Sequence, residues 1–217
     1  PDTVPAATIN RLCGSSLDAL AICARAIAAG EAELMIAGGV EGMTRAPFVM
    51  PKADAAFSRS NAVYDSTLGW RFVNARLKAG YGIDSMPETA ENVAAEFGIA
   101  RTDQDAFALR SQTRCAAAQA RGYFAGEIVA VTLPGRQGDT VIAADEHPRA
   151  TTLEALAKLK PVVKPDGTVT AGNASGINDG AVALLVASGQ AAGRYGLTPI
   201  ARIVGAATAG VAPRIMG

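Results

Sequence analysis

Cysteine is scarce in this sequence: Cys13, Cys23 and Cys115 are the only three in 217 residues. An odd number, so widely spaced, builds no disulfide framework, and no CxxC pair or Cys/His cluster has metal-ligand spacing. Three free thiols fit a reducing compartment, so a cytoplasmic protein without metal ligands is expected. Histidine occurs once, at His147. Aromatic residues reach only 5%, against 49% hydrophobic residues in all, so the core must be built from small side chains packed closely. Neither sign of charge prevails, with Lys+Arg and Asp+Glu both at 20. A chain of zero formal charge has no global field to attract nucleic acid or an anionic membrane, and neither is expected as a partner. No apolar run approaches the ~20 residues that span a bilayer. Pro1-Asp2-Thr3-Val4-Pro5 has neither the basic nor the apolar region of a signal peptide, nor an initiator Met, and the expectation is a start within something larger.

What is present alternates between two textures. Residues 15–29 read as a helix that Ser15 or Ser16 caps and Gly30 ends. Leu17, Leu20, Ala21, Ala24, Ile27 and Ala28 give it a broad apolar face, and with only Asp18 and Arg25 charged it is expected to be buried almost all round. Leu34–Ala37, bounded by Gly38-Gly39, suits a strand buried on both faces, and helix followed by buried strand indicates an α/β layer. From 43 to 173 charges and loops increase. Residues 43–84 read as irregular with short helices, and 88–97 as a helix stopped by Gly98. Thr102 and Asp105 approximate a capping box for a helix to Ala120, with Phe107, Leu109, Ala117 and Ala118 on its apolar side. Glu127–Leu133 and Thr140–Ala143 read as paired strands, and Thr152–Leu159 as a short helix. After a Gly-rich turn at 173–180, Ala181–Ala187 reads as a second buried strand, 188–196 as a helix and Ile200–Ala207 as a further strand.

The chemistry concentrates at Ile9-Asn10-Arg11-Leu12-Cys13-Gly14-Ser15-Ser16. A cysteine placed where a helix begins faces unpaired backbone N–H groups and the positive end of the dipole, which favour thiolate and hence nucleophilic sulfur. A buried cysteine acting as a small hydrophobe is the competing reading of the local context. Cys23, along the same apolar helix, and Cys115, mid-helix, read as structural.

Five segments in order carry a resemblance over essentially the whole chain: NRLCGSSLDAL, LMIAGGVEGMTRAP, Thr89–Ala94 (TAENVA), RTDQDAFALRSQ, and TVTAGNASGINDGA followed by AVALLVAS. The chain resembles a thiolase. GWRFVNA, DSMPETAENVA, DEHPR and TLEALAKLKP are most similar to the branch of that family acting on 3-oxoadipyl-CoA. The resemblance implies a layered α-β-α-β-α fold, here incomplete, with an inserted α+β loop domain. Residues 1–42 and 174–198 would belong to the N-terminal thiolase domain, 43–173 to the loop domain that binds CoA and substrate, and 199–217 to the start of the C-terminal domain. It implies thiolysis of a 3-oxoacyl-CoA through an acyl group on Cys13, with coenzyme A as substrate, no metal or redox cofactor, and a homodimer or homotetramer. An acetyl-CoA C-acetyltransferase and a non-catalytic CoA-binding protein are the alternatives.

The resemblance also marks departures. The family's Cys-x-Ser-Gly reads Cys13-Gly14-Ser15-Ser16 here, and Ser16 would crowd the helix start if a glycine-only backbone were needed. The family's Gly-His-Pro motif, second catalytic cysteine and Asn-Glu segment are absent, and His147, in Asp145-Glu146-His147-Pro148-Arg149, matches a loop motif instead. The chain therefore reads as an internal piece of a thiolase, inactive in full turnover by itself. Ser175 and Ala171 match positions that touch the pantetheine arm of CoA; Asn173 and Asn178 are equally well turn-formers. Met86 matches an acyl-pocket position or is a core methionine. Ser85 stands where many biosynthetic members carry histidine, which favours a degradative enzyme. Arg149 matches a contact to the CoA phosphates or adenine. A distal carboxylate on the acyl chain would need an arginine, for which Arg45 and Arg71, the latter between Trp70 and Phe72, are candidates; each is otherwise a surface arginine.

Overall fold

The computed structural model describes residues 2–216. In chain order the elements are α1 (Ser15–Ala28), β1 (Leu34–Glu41), a 3-10 turn (Met43–Arg45), β2 (Phe48–Val49), β3 (Tyr64–Asp65), α2 (Ala75–Tyr81), α3 (Met86–Glu96), α4 (Arg101–Ala120), β4 (Val131–Leu133), β5 (Thr140–Ile142), α5 (Leu153–Ala157), β6 (Gly180–Ala187), α6 (Gly189–Arg194) and a second 3-10 turn (Pro213–Ile215). The chain divides into two compact units, one of Pro1–Arg45 with Asn178–Gly210, the other of Ala46–Ile177 with Val211–Gly217.

In the first unit β1 and β6 pair antiparallel along their whole length, from Leu34 opposite Ala187 to Glu41 opposite Gly180. Gly38 belongs inside this ladder rather than ending it: a Cβ there would stand 2.8 Å from the Val182 carbonyl. α1 lies on one face, where Cys23, Ala37 and Val186 form a small core with Ala19, Leu20, Ile27 and Met35 around it. Period-2 alternation puts Leu34, Ile36, Val40 and Leu185 on the other face. The expected burial of both strands on two faces, and of α1 all round, does not hold: Ile36 is 70% exposed, Val40 82% and Leu17 74%. The physical reason is that among the described residues nothing covers those faces. α1 ends in a Schellman motif at Gly30 (φ 78°), with Gly30 N–H donating to the Ile27 carbonyl and Glu31 N–H to that of Ala26. Beyond the far end of the ladder, Asp179 accepts from the Thr44 N–H (2.9 Å) and hydroxyl (2.5 Å). Ile200–Ala207 forms no strand, and Ile200 is 94% exposed. No strand among the described residues offers it a ladder partner, and an unpaired strand has no hydrogen bonds to hold it.

The second unit is built on α3 and α4. Glu88 accepts from the Ser85 N–H at 2.6 Å, half of a capping box, and Gly98 (φ 64°) ends α3. α4 starts without a side-chain cap: the helix begins at Arg101 with Ala100 as N-cap, so Thr102 and Asp105 lie inside it and form no capping box, and Asp105 bonds Asn173 instead. Ala118 is buried on α4 but Phe107 is exposed, with the Arg110 guanidinium 5.0 Å from its ring. The β4–β5 pair is shorter than the 127–133 alternation suggests, and β2–β3 adds a small pairing within 43–84. Thr152 caps α5 by accepting from the Ala155 N–H. Among the described residues no helix is long and apolar enough to cross a membrane.

Candidate active site

Cys13 is exposed and directly precedes Gly14, the N-cap of α1. The turn that carries it is held by local hydrogen bonds. Leu12 N–H donates to Asn10 Oδ1 at 2.7 Å, and the Leu12 carbonyl accepts from Ser15 N–H (3.0 Å) and Ser15 Oγ (2.6 Å). Ser15 Oγ accepts in turn from Arg11 N–H at 2.8 Å. Leu12 itself sits at φ 50°, a left-handed conformation rare for a branched side chain. Non-glycine residues held in this way concentrate at functional sites, and here the strain falls on the residue before the thiol. Ser16 and Leu17 N–H have no acceptor among the described residues, so two donors remain open at the helix end where Cys13 stands. Arg11 crosses the first turn to Asp18 (2.7 Å) and passes close over Gly14.

This geometry answers the two questions about the motif. Cys13 is not a buried small hydrophobe; Cys23 is, with its Sγ 4.0 Å from the Ile36 carbonyl. Ser16 needs no glycine conformation, since it lies in α1 and is absent from the left-handed non-glycine residues Leu12, Phe57 and Phe72. Neither Ser15 nor Ser16 caps the helix, because Gly14 occupies that position without a side-chain bond.

The other candidates divide between the units: Arg45 is in the first, with Cys13, and Arg71, Met86, Arg149, Ala171 and Ser175 are in the second. Ala171 and Ser175 are exposed and bracket a turn that two buried carboxylates secure. Glu91 on α3, 5% exposed, accepts from the N–H groups of Thr168 (2.6 Å) and Val169 (2.7 Å) and from Thr168 Oγ1 (3.2 Å). Asp105 on α4, 4% exposed, accepts from Arg101 Nε (2.8 Å) and Asn173 Nδ2 (3.0 Å). Asn173 also donates to the Thr168 carbonyl and accepts from Thr170 N–H, so its amide is used up inside the turn and it is a turn-former. Arg101 anchors α5 through the carbonyls of Leu156 (2.6 Å) and Leu159 (3.1 Å). Gly172 sits closely under two leucines: a Cβ would lie 2.5 Å from Leu159 Cδ1 and 2.6 Å from Leu156 Cδ2, so both side chains would have to shift.

Met86 opens α3 and is nearly half exposed, so it is not a core methionine. Beside it Asp84 accepts from Arg214 Nε (3.1 Å) and Asn92 Nδ2 (2.7 Å), and these two, Arg214 first, hold its carboxyl below the ordinary carboxylate range. Arg149 donates its backbone N–H to Gln112 Oε1 (3.0 Å) and its Nε to the His147 carbonyl (3.1 Å). Its guanidinium makes no ion pair among the described residues. Glu91, Asp84 and Arg214 escaped the sequence reading, and Asp105 figured in it only as part of a helix cap. For Glu91 a signal existed, since it stands three residues before Ala94 on what must be the buried side of that helix. Among the described residues no cluster of His, Cys, Asp and Glu is placed to hold a metal.

An exposed cysteine at a helix start, next to open N–H donors, is the arrangement of an acyl-accepting nucleophile. The profile described as thiolase, N-terminal domain, matches residues 1–190. A β-ketoadipyl-CoA thiolase of Acinetobacter baylyi is 65% identical over all of this chain and 55% of its own length. The acetyl-CoA acetyltransferase of Bacillus anthracis superposes with a TM-score of 0.85 at 40% identity, over 100% of this chain and 54% of that one. Human mitochondrial 3-ketoacyl-CoA thiolase in complex with CoA gives 0.77 at 39% identity, over 92% and 49%. The chain belongs to the thiolase family and has the α/β fold of its members. It spans about half the length of the curated relatives it matches.

Proposed function

We propose that the polypeptide carrying this chain cleaves 3-oxoadipyl-CoA (β-ketoadipyl-CoA) with coenzyme A, giving succinyl-CoA and acetyl-CoA, with Cys13 as nucleophile. The observation that carries the reading is the exposed thiol of Cys13 at the start of α1, in a sequence 65% identical to a β-ketoadipyl-CoA thiolase. The Cys13 sulfur attacks the C3 carbonyl and the C2–C3 bond breaks. Its electron pair passes to C2, which takes a proton and leaves as acetyl-CoA. The succinyl group stays on Cys13 as a thioester until the CoA thiol displaces it. Open N–H groups at the helix start suit the oxyanion that forms in each half. The bases that move the protons are assigned to no residue of this chain, so by itself it is expected to accept an acyl group without completing turnover.

On this reading Ala171, Ser175 and Met86 border the pantetheine and acyl chain, Arg149 meets the phosphates or adenine, and no cofactor beyond the substrate CoA is required. Homodimers or homotetramers in the cytoplasm are part of the same proposal. Thiolysis of 3-oxoadipyl-CoA and acetoacetyl-CoA by the whole encoded polypeptide tests it, with products identified by mass. Preference for 3-oxoadipyl-CoA, and a fall on the order of 10⁴-fold or more in Cys13→Ala, is expected. Preference for acetoacetyl-CoA would make the enzyme an acetyl-CoA C-acetyltransferase. CoA binding without any transfer would reduce it to a binding protein.

A further inference from the structure

Leu12 stands at φ 50° immediately before the Cys13 thiol. The left-handed conformation disfavours such a side chain roughly 5- to 30-fold. Packing does not repay this, since the Leu12 side chain is 81% exposed. Hydrogen bonds from two nearby side chains hold it instead. Asn10 Oδ1 accepts from the Leu12 N–H at 2.7 Å. Ser15 Oγ accepts from the Arg11 N–H at 2.8 Å and donates to the Leu12 carbonyl at 2.6 Å. One hydroxyl thus ties the start of residue 11 to the end of residue 12 and encloses all four backbone torsions of the pair. Those torsions set where Cys13 stands relative to the start of α1. A serine hydroxyl has one proton, and here the Leu12 carbonyl takes it, so none is left to donate to a substrate. Ser15 can therefore serve the reaction only through the backbone that carries Cys13.

We propose that Ser15, assisted by Asn10, is a positioning residue for the Cys13 nucleophile: its hydroxyl holds Leu12 left-handed and so keeps the thiol at the start of α1. This rests on the reading of Cys13 as the acyl acceptor. Without the hydroxyl the turn relaxes toward the ordinary conformation of leucine, and acyl transfer falls with the fraction of molecules still in the productive turn. Leu12→Gly removes the drive to relax, because glycine takes the left-handed conformation about as readily as the right-handed one. Single-turnover transfer from labelled succinyl-CoA to Cys13 in the whole encoded polypeptide tests this. In that step the thioester bond to CoA breaks as one to Cys13 Sγ forms, and the thiol proton leaves with the CoA sulfur. Ser15→Ala should slow transfer about 5- to 30-fold, while half-saturation by succinyl-CoA moves less than about two-fold. Made in the Leu12→Gly background, the same substitution should cost less than about three-fold. Asn10→Ala, which frees the Leu12 N–H, should show the same contrast, and Ser15→Thr, which keeps the hydroxyl, should retain most of the rate. A direct contact with substrate, or a general loss of stability, would cost as much in either background. Equal losses in the two backgrounds, or no loss in either, would overturn the inference and leave Cys13 as the nucleophile. No transfer to Cys13 in the unaltered polypeptide would overturn both.

Discussion

Replacing Glu91 tests whether a buried carboxylate holds the turn that bears Ala171 and Ser175. In Glu91→Ala the N–H groups of Thr168 and Val169, which lie 2.6 and 2.7 Å from Oε1, lose their acceptor. Each buried donor left without a partner costs about 1–3 kcal/mol, so the two together cost about 4 kcal/mol. Glu91→Gln keeps an acceptor oxygen for both N–H groups and loses the charge assistance, which is worth about 1–2 kcal/mol, together with the long ion pair to Lys164 (3.9 Å), which adds little. Thr168 Oγ1 can rotate to accept from the new amide. Urea unfolding of the whole polypeptide measures the two costs, and amide hydrogen exchange locates them at Thr168 and Val169. Alanine should accelerate exchange at both sites, and glutamine should leave most of the protection. Activity provides a further readout, since a loosened turn should raise KM for CoA more than it lowers acyl transfer to Cys13. If alanine and glutamine cost the same, or if both amides stay protected in the alanine variant, Glu91 does not hold this turn.

Gly172→Ala should cost about 1–3 kcal/mol through overpacking against Leu156 and Leu159, read as a lowered unfolding midpoint; no change would mean that both leucines move aside freely. Asp179 is held below its ordinary value of 3.8 by the Thr44 hydroxyl first and the Thr44 N–H second. A carboxyl lowered in the folded state contributes stability above its unfolded value, and the contribution is lost as pH falls through the folded value. Asp179→Asn should therefore weaken the protein at pH 7 and lose less on acidification below pH 4, measured by urea midpoints at pH 7 and pH 3; parallel losses in both proteins would contradict it.

Local structure was legible where it depends on short-range chemistry. Gly30 and Gly98 ended their helices as expected, since a left-handed residue closes a Schellman motif at little cost to glycine. The helix after Cys13, the helix that contains Cys115 and the apolar strands at 34–37 and 181–187 also formed as their patterns indicate. Burial was less legible. Ile36, Val40 and Leu17 have the composition of core residues, yet composition does not say which element covers them. Asp105 read as part of a cap because Thr102 precedes it by three residues, but its partner, Asn173, is 68 positions away. Ion pairing between Asp84 and Arg214 spans 130 positions, and no local pattern announces it. For the site, Cys13 was visible from its neighbours, whereas the left-handed Leu12 behind it was not, since leucine carries no sequence mark for that conformation. Ala171 and Ser175 were marked by resemblance; the buried carboxylates that hold their turn show only in three dimensions.

The most direct measurement is acyl transfer to Cys13. The chain, and the whole encoded polypeptide, would be incubated with succinyl-CoA carrying a labelled succinyl group, digested and examined by mass spectrometry. A single thioester-linked succinyl group is expected on the peptide containing Cys13, absent in Cys13→Ala and discharged when excess CoA is added. Label on Cys23 or Cys115, or no label on Cys13 in the whole polypeptide, would contradict its role as the acyl-accepting nucleophile.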